Sequence, residues 1–334
     1  MSPLCSRPEG VRIAGTGMAV PPRVVSNDDL AKILDTSDDW IRPRTGIVTR
    51  HLADDDTRTS DLAAAAVTQA VENAGLAPAD LDLLLCATMT PDLVCPATAC
   101  QVVDRIGAVP CGAMDLNMAC TGLVGGLATA ANFVASGHFQ HVAVVGADCL
   151  SKIVNWQDRT TCILFGDAAG AIVVSRSDDP QQRCLYQKLY SDASQWESLY
   201  VPRTERDLPE NRELFSGQYG TLQMNGREVF RFAVKTLQGC VKEALAATGL
   251  TADDITMVVP HQSNIRMLKS AWKKLGFKED KIYINIDRFG NTSAASIGLC
   301  LHELRDQNRL EKGDFVIFVG QGGGLTWGVS LWRL

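Results

Sequence analysis

The feature that most constrains the fold of this chain is an internal repeat with a constant spacing of 174 residues. Three pairs of segments share that spacing: NAGLAPADLDLLLCA (73–87) with ATGLTADDITMVVPH (247–261), NMACTGLVGGL (117–127) with NTSAASIGLCL (291–301), and HVAVVGADC (141–149) with FVIFVGQGG (315–323). Proteins with alternating strands and helices often reuse similar strand–turn–helix sequences, but such reuse does not explain one shared spacing. We therefore predict two halves related by duplication, residues 1–178 and 179–334.

Each half alternates short apolar strands with amphipathic or small-residue helices, which predicts mostly parallel sheets with helices on their faces. The predicted helices in residues 121–137 and 291–301 are rich in glycine, alanine and other small residues, so they are thin enough to lie between two sheets. The result is a layered α/β architecture. Residues 176–222 are polar and show little periodicity, so this segment is predicted to be a linker with surface loops.

Composition narrows the function classes. The chain has 334 residues, 46% of them hydrophobic and 21% charged, which is typical of a globular protein. A net charge of −6 argues against nucleic-acid binding. The start, MSPLCSRPEG, lacks the layout of a signal peptide, and no apolar run reaches membrane-spanning length. The eleven cysteines show no C-x-x-C spacing, so we expect a cytoplasmic protein with neither a disulfide framework nor a metal site.

One cysteine, Cys120 in MACTG, has two interpretations. Free cysteine is among the most buried residue types, so Cys120 can simply be packed as a small apolar side chain. Alternatively it is a nucleophile, because a strand-like run precedes it and a small-residue helix follows it. A position near a helix N-terminus favours the thiolate through the helix dipole and the free backbone N–H groups.

A nucleophilic cysteine needs a partner that handles protons, and His261 is the best placed of the five histidines. It follows the buried strand ITMVV, at the strand end where α/β sheets form their sites. Equivalent strand ends of two duplicated halves meet near the pseudo-two-fold axis, which brings His261 towards Cys120. Asn291, the equivalent of Asn117 in the repeat, is either a helix cap or an amide with a catalytic use.

These motifs carry a family resemblance. MACTG, PHQSNIR and GNTSAAS, together with TSDDWIRPRTG, DRTTCILFGDAAGA and GGGLTWG, resemble the β-ketoacyl-[acyl-carrier-protein] synthase III family of the thiolase superfamily, in the same order and over essentially the whole chain. Thiolases pair the nucleophile with a histidine and a second cysteine, and elongating synthases use two histidines. The resemblance implies a thiolase-like layered αβαβα fold made of two duplicated halves, and a homodimer.

The resemblance also implies a reaction. Cys120 would take the acyl group of an acyl-CoA primer, and His261 and Asn291 would hydrogen-bond the thioester carbonyl of malonyl-acyl-carrier protein as CO2 leaves. Two neutral donors in a dry site stabilise the enolate, so no cofactor is required. The oxyanion of the condensation step would lie between the backbone N–H groups of Cys120 and Gly323.

Substrate-binding residues follow from the same resemblance. An indole and a guanidinium suit a nucleotide base and phosphates, and the resemblance pairs Trp40 with Arg159 around the adenine of CoA. A lone tryptophan used only for packing remains an alternative. The full predicted set for CoA and its pantetheine arm is Thr36, Trp40, Arg44, Arg159, Gly226, Phe230 and Asn264. Basic residues predicted to dock the acidic carrier protein are Arg231, Arg266, Lys273 and Lys274, with ordinary solvated helix faces as the alternative.

Two positions depart from the family pattern at the predicted acyl pocket. Cys95 stands where some members carry an aromatic residue that reaches across the dimer, and Gln321 stands where an aromatic residue often precedes the glycines. Both departures leave undetermined which acyl group serves as the primer. A related acyltransferase that passes the acyl group from Cys120 to a non-malonyl acceptor in a secondary-metabolite pathway is therefore the second hypothesis. A silent acyl-CoA-binding scaffold is the third.

Overall fold

The computed structural model describes residues 10–210, 214 and 218–334. Residues 1–9 of the predicted first half and residues 211–213 and 215–217 of the predicted linker lie outside the described residues. The helices are α1 (Asn27–Ala31), α2 (Asp38–Thr45), α3 (Thr59–Asn73), α4 (Thr98–Ile106), α5 (Gly122–Ala135), α6 (Gly226–Thr248), α7 (Ile265–Trp272), α8 (Ile286–Phe289) and α9 (Ala295–Asp306). The strands are β1 (Gly10–Ala19), β2 (Val24–Ser26), β3 (Thr49–His51), β4 (Leu83–Ala87), β5 (Gly112–Leu116), β6 (His141–Asp148), β7 (Ala168–Ser177), β8 (Arg183–Ser191), β9 (Leu199–Tyr200), β10 (Gln223–Met224), β11 (Met257–Pro260), β12 (Phe315–Gly322) and β13 (Thr326–Arg333).

Two sheets organise these elements. The first has five strands in the order β1-β7-β6-β4-β5, and the second has four in the order β11-β12-β13-β8. The strands of the first sheet all lie within residues 10–177 and those of the second within 183–333. The two predicted halves thus each contribute one sheet.

Helices α5 and α9 lie between the two sheets and bury apolar side chains against both. Leu123 and Leu127 of α5 and Leu301 of α9 share one core with Val144 of β6 and Phe318 of β12. Helices α3 and α4 cover the outer face of the first sheet, and α6 and α7 cover the outer face of the second. The order helix, sheet, helix, sheet, helix confirms the predicted layered αβαβα fold.

Glycines permit the close approach of the central helices to the first sheet. A Cβ atom on Gly146 of β6 would come within 2.3 Å of the carbonyl oxygen of Ala294, and one on Gly298 of α9 within 2.6 Å of the backbone of Gly170. Any larger residue at these positions would push α9 off the sheet. The small-residue composition therefore places the start of α9, with the residues just before it, directly against β6.

The structure corrects two predictions about this architecture. The sheets are mixed rather than mostly parallel: β1–β7, β6–β7, β12–β13 and β13–β8 pair antiparallel, while β4–β5, β4–β6 and β11–β12 pair parallel. The connection from Gly322 to Thr326 is too short for a crossover, so β13 must return as a hairpin. Residues 176–222 are also more than a linker, since they include the nine-residue strand β8. Among the described residues, no helix is long and apolar enough to cross a bilayer.

Candidate active site

Cys120 lies in a tight turn between β5 and α5. Ala119 has a φ of +46°, in the left-handed region that a residue with a Cβ seldom adopts, and residues 119–121 form a single 3-10 turn that leads into α5. Such backbone strain persists only where the surrounding structure enforces it. Cys120 is 8% exposed. The turn therefore places its thiol at the N-terminal end of the central helix.

A cavity of about 1040 Å³ opens above this turn. Cys120, His261 and Asn291 all line it, so the fold brings together the three side chains predicted from separate parts of the sequence. All five histidines lie within the described residues, and His261 is the one that reaches this cavity. Within residues 10–210, 214 and 218–334, no three metal-ligating side chains cluster in a way that suits a metal ion.

His261 is buried, and both its backbone N–H and its ring Nδ1 are in hydrogen-bond contact with neighbouring residues. It follows β11, its backbone N–H donates to the carbonyl of Val319 at 2.8 Å, and its Nδ1 lies 2.8 Å from the hydroxyl oxygen of Ser296. Burial lowers the pKa of His261 to about 3, because a charged imidazolium loses its hydration there. The ring is therefore neutral, and its Nε2 is left to face the cavity.

Asn291 is oriented by a backbone hydrogen bond. The N–H of Ser293 donates to Oδ1 of Asn291 at 2.9 Å, so the two N–H bonds of Nδ2 remain available. Helix α9 begins only at Ala295, with Ala294 at its N-cap and no side-chain cap. Asn291 is therefore not the cap of this helix, which removes the alternative interpretation of that asparagine.

The thiol of Cys120 differs from the sequence-based expectation of a stabilised thiolate. Burial raises its pKa to about 12, although the hydroxyl of Ser293, which donates to Sγ at 3.3 Å, acts in the opposite direction. The larger of the two effects is desolvation, which disfavours the charged thiolate. Burial of the thiol therefore opposes the thiolate that the helix end favours.

The glycine-rich hairpin between β12 and β13 lies against the nucleophile. A Cβ atom on Gly322 would come within 2.7 Å of the backbone nitrogen of Cys120. Gly323, the predicted oxyanion donor, follows directly and lines the same cavity. An oxyanion requires two backbone N–H groups near the nucleophile, and the assignment of the Gly323 N–H to that role stays a prediction.

At the cavity mouth, two guanidinium groups lie close to the indole ring of Trp40. The guanidinium carbon of Arg44 is 4.7 Å from the centre of the indole ring, and that of Arg159 is 5.2 Å away. Arg159 also forms a salt bridge with Asp35 at 2.9 Å. Trp40 and Arg44 line the cavity, whereas Arg159 and Thr36 lie outside its lining.

The remaining predicted residues also divide into those that line the cavity and those that lie outside it. Those that line the cavity are Gly226, Phe230, Arg231, Asn264, Arg266 and Gln321. Asn264 caps α7 by accepting from the N–H of Arg266 at 2.8 Å, and its Nδ2 donates to the carbonyl of Arg44 at 3.1 Å. Lys273 and Lys274 are exposed at the far end of α7. Cys95 is exposed and lies outside the cavity of its own chain, so its predicted role depends on a second copy.

Sequence reasoning missed one wall of the cavity. The wall is formed by apolar residues from the segment interpreted largely as a linker: Leu199, Val201, Leu222 and Met224. Alternating apolar residues at 199, 201, 222 and 224 were the available signal. Ser293 and Ser296, which hold the predicted triad, were also missed, although they lie within the quoted GNTSAAS motif.

Comparison with known proteins shows the family to which the chain is similar. Residues 114–193 match the family described as 3-oxoacyl-[acyl-carrier-protein (ACP)] synthase III, and residues 245–334 match its C-terminal counterpart. The beta-ketoacyl-[acyl-carrier-protein] synthase III of Caldanaerobacter subterraneus is 44% identical over 319 residues, which cover 96% of each chain. The chain belongs to the 3-oxoacyl-[acyl-carrier-protein] synthase III family. The predicted family is thereby confirmed.

Solved structures agree with that membership in this synthase III family. The 3-oxoacyl-[acyl-carrier-protein] synthase III of Aquifex aeolicus superposes with a TM-score of 0.90 at 39% identity, covering 97% of this chain and all of that one (100%). The priming β-ketosynthase of the R1128 polyketide biosynthetic pathway superposes with a TM-score of 0.89 at 33% identity, covering 97% and 96%. Both comparisons confirm the thiolase-like fold. They place the chain among condensing enzymes, which are transferases.

Proposed function

We propose that this synthase III family member condenses an acyl-CoA primer with malonyl-acyl-carrier protein, with loss of CO2, to give a 3-oxoacyl-acyl-carrier protein. The observation that carries the proposal is the convergence of Cys120, His261 and Asn291 on one buried cavity. Family membership supplies the reaction class. The residues then assign the steps, and neither a metal nor an organic cofactor takes part.

In the first step, Sγ of Cys120 attacks the thioester carbon of the acyl-CoA. The carbonyl oxygen gains negative charge, which the backbone N–H groups of Cys120 and Gly323 stabilise in this proposal. Each such donor contributes roughly 3 kcal/mol to transition-state stabilisation in comparable sites. CoA leaves as a thiol, and Cys120 carries the acyl group.

In the second step, the malonyl thioester loses CO2 and becomes an enolate. One N–H of Asn291 Nδ2 and the N–H of His261 Nε2 then donate to the enolate oxygen. His261 presents that N–H in the tautomer with its proton on Nε2, in which the Ser296 hydroxyl, 2.8 Å from Nδ1, turns from the carbonyl of Ser293 to donate to Nδ1. Two neutral donors stabilise the enolate without protonating it, because the pKa of His261 is held at about 3. The carbanion attacks the acyl group on Cys120.

The cavity mouth suits CoA. The indole of Trp40, with the guanidinium groups of Arg44 and Arg159 close to its ring, offers an aromatic face and two cations for the adenine and the phosphates. Binding of adenine would displace one guanidinium from the ring. Exposed Arg231 and Arg266 at the same mouth favour an acidic carrier protein over nucleic acid or membrane as partner.

A homodimer forms part of this proposal. Strand β5 is the edge of the five-stranded sheet, so one side of its backbone is unpaired. Met114 on β5 and the neighbouring Leu93, Val94 and Val109 are exposed, with Val94 at 91%. A second copy that pairs along β5 would cover this apolar surface and bring its Cys95 near the first cavity. We place the dimer in the cytoplasm.

Intact-protein mass spectrometry tests the reaction. The protein is mixed with acyl-CoAs of graded length and then chased with malonyl-acyl-carrier protein. We expect one acyl mass on Cys120, none on the Cys120→Ala variant, and discharge with release of CO2 during the chase. Failure of every acyl-CoA to load Cys120 would refute the proposal.

The second candidate is transfer of the acyl group to a non-malonyl acceptor. It is favoured by Gln321, a polar side chain that is only 4% exposed beside the nucleophile, and by the similarity to a polyketide-priming synthase. Under this candidate Cys120 still becomes acylated. Malonyl-acyl-carrier protein would then neither release CO2 nor discharge the acyl group.

A further inference from the structure

Gln262, the residue after His261, carries a buried amide that the mechanism above does not use. It is 1% exposed and lies outside the lining of the cavity. Its Nε2 donates to the carbonyl of Pro260 at 2.9 Å and to that of Tyr283 at 3.1 Å, and its Oε1 accepts from the N–H of Asn285 at 3.1 Å. The side-chain amide therefore joins the end of β11 to the segment that leads into α8.

The place of this amide follows from the proline at the end of β11. Beside β11, the N–H of Tyr283 donates to the carbonyl of Val258 at 3.0 Å, which begins a parallel ladder. The next pair of bonds would need an N–H on residue 260 for the carbonyl of Tyr283, and Pro260 has none. The amide of Gln262 supplies that donor and accepts the N–H of Asn285, which would otherwise pair with Pro260. The side chain thus replaces a peptide group between the two segments.

One of the two joined segments positions His261. This residue lies between Pro260, whose carbonyl accepts from Gln262 Nε2, and Gln262, whose backbone N–H donates to the hydroxyl oxygen of Ser296 at 3.3 Å. The same hydroxyl oxygen lies 2.8 Å from Nδ1 of His261. The orientation of the imidazole ring therefore depends on the backbone that the Gln262 amide holds.

The other segment positions Asn291. Asn285 is followed by the single turn α8, at whose end the N–H of Gly290 donates to the carbonyl of Ile286 at 2.9 Å. Asn291 comes next, and its backbone N–H donates to the carbonyl of Leu164 at 2.8 Å. A displacement at Asn285 is therefore transmitted through one short helical turn to the amide of Asn291.

We propose that Gln262 is a positioning residue for decarboxylation, because its side chain sets the separation of the His261 ring from the Asn291 amide. The two donors act on one enolate oxygen, so their spacing must match the position of that oxygen. A misplacement of about 1 Å lowers the rate of such a step roughly 10²-fold. Acylation of Cys120 uses neither donor, so it should not depend on Gln262. The inference rests on the second step of the proposed function.

Gln262→Met tests this role, since methionine keeps the length of the side chain and makes none of its hydrogen bonds. Two rates are measured separately: single-turnover acylation by an acyl-CoA, and CO2 release from malonyl-acyl-carrier protein by enzyme that is already acylated. Gln69→Met is the matched control, because the half-buried Gln69 of α3 accepts from the N–H of Met18 at 2.8 Å and lies outside the cavity lining. Thermal unfolding reports the stability of both variants.

We expect Gln262→Met to release CO2 on the order of 10²-fold more slowly at saturating malonyl-acyl-carrier protein, and to acylate near the wild-type rate. Gln69→Met should keep both rates. Equal losses in the two half-reactions of Gln262→Met, or wild-type rates in both, would overturn the positioning role. Failure of the wild-type protein to acylate or to release CO2 would instead overturn the proposed function.

A second variant decides the question if Gln262→Met does not fold. Glu303 of α9 holds the same segment from its other side. It accepts from the hydroxyl of Tyr283 at 3.2 Å, from Nδ2 of Asn285 at 2.8 Å and from the guanidinium of Arg288 at 2.9 Å. Glu303 lies outside the cavity lining, so its replacement changes only how firmly the segment is held.

Glu303→Ala should also slow CO2 release more than acylation, by a smaller factor than Gln262→Met. The control is Glu243→Ala, which removes a carboxylate that accepts from Lys188 at 2.8 Å and Tyr190 at 2.7 Å and also lies outside the cavity lining. It should leave the ratio of the two rates unchanged. An unchanged ratio in Glu303→Ala, with Gln262→Met unfolded, would contradict the proposal.

Discussion

The backbone N–H of Ser293 donates to Oδ1 of Asn291 at 2.9 Å, and this hydrogen bond decides which end of the amide faces the substrate. A backbone donor can pair only with the oxygen of the amide, so Nδ2 is directed away from it. The hydroxyl of the same Ser293 reaches Cys120, and its carbonyl accepts from Ser296, the partner of His261. One strained residue thus contacts the whole triad, directly or through one hydroxyl.

Replacement of Asn291 by Asp should separate the two half-reactions. The carboxylate has the same shape but donates no hydrogen bond and repels the enolate, so CO2 release from malonyl-acyl-carrier protein should fall about 10²-fold or more. Acylation of Cys120 should fall far less. Both steps are followed by mass spectrometry, with Asn308→Asp, at an exposed position beyond α9, as the control. Equal loss of both steps would contradict the assigned role.

Replacement of Gly322 by Ala should abolish acylation without unfolding the protein. The new methyl group would lie 2.7 Å from the backbone nitrogen of Cys120 and would move the oxyanion donors apart. The matched control is Gly239→Ala in α6, where nothing lies within 4 Å of the added Cβ. That control should be as active as the wild type and slightly more stable, by about 0.5–1 kcal/mol. Acylation is followed by intact mass, and thermal unfolding reports stability.

The neutral state of His261 makes a prediction about acid stability. Its pKa is lowered to about 3, from about 6.5 in the unfolded chain, so its contribution to stability is fully present above pH 6.5. That contribution is lost as the pH falls from 6.5 towards 3. In His261→Phe, the free energy of unfolding should therefore fall less between pH 6.5 and 4 than in the wild type. Denaturant titrations at several pH values measure the difference, and parallel curves would contradict it.

Gln321 should determine the choice of primer. Its Nε2 donates weakly to the hydroxyl of Ser263 at 3.3 Å, while its buried Oε1 has no hydrogen-bond partner within the described residues. Gln321→Leu removes this unsatisfied acceptor, so the rate of acylation by unsubstituted alkyl-CoAs should rise several-fold. Acylation by primers that carry a hydroxyl or amide group should become slower relative to acylation by the alkyl primers. Competition between the two kinds of acyl-CoA, with the adducts weighed by mass spectrometry, measures the ratio, and an unchanged ratio would refute the prediction.

Charge reversal at Arg266 should weaken binding of the carrier protein and leave the rate of acylation nearly unchanged. Arg266 is exposed at the cavity mouth, so Arg266→Glu should raise KM for malonyl-acyl-carrier protein about 10-fold at low salt, with a smaller effect at high salt. Acylation by a primer on a short pantetheine thioester should stay near the wild-type rate. Lys242→Glu, on the exposed face of α6 and outside the cavity lining, is the control. A KM that does not depend on salt in either variant would argue against electrostatic docking.

The repeated spacing in the sequence predicted two halves, and the apolar runs predicted most strands and the long helices. The relative direction of neighbouring strands was predicted wrongly. Local hydrophobic patterns do not distinguish a crossover, which makes strands parallel, from a return hairpin such as Gly322–Thr326, which makes them antiparallel. The apolar residues of 199–224 were missed as a cavity wall because their two alternating pairs, 199/201 and 222/224, are too short and too far apart in sequence to predict that they meet at one cavity.

By itself, the sequence determined the family, the layered fold and the identity of Cys120, His261 and Asn291 as candidates, because motifs and periodicity are local properties. Only the tertiary structure decided the burial that raises the pKa of the Cys120 thiol, the burial that lowers the pKa of His261, and the orientation of the Asn291 amide. These properties depend on desolvation and on contacts between residues up to 173 positions apart, such as Ser293 with Cys120. No local pattern records them, since they arise only when the two halves pack together.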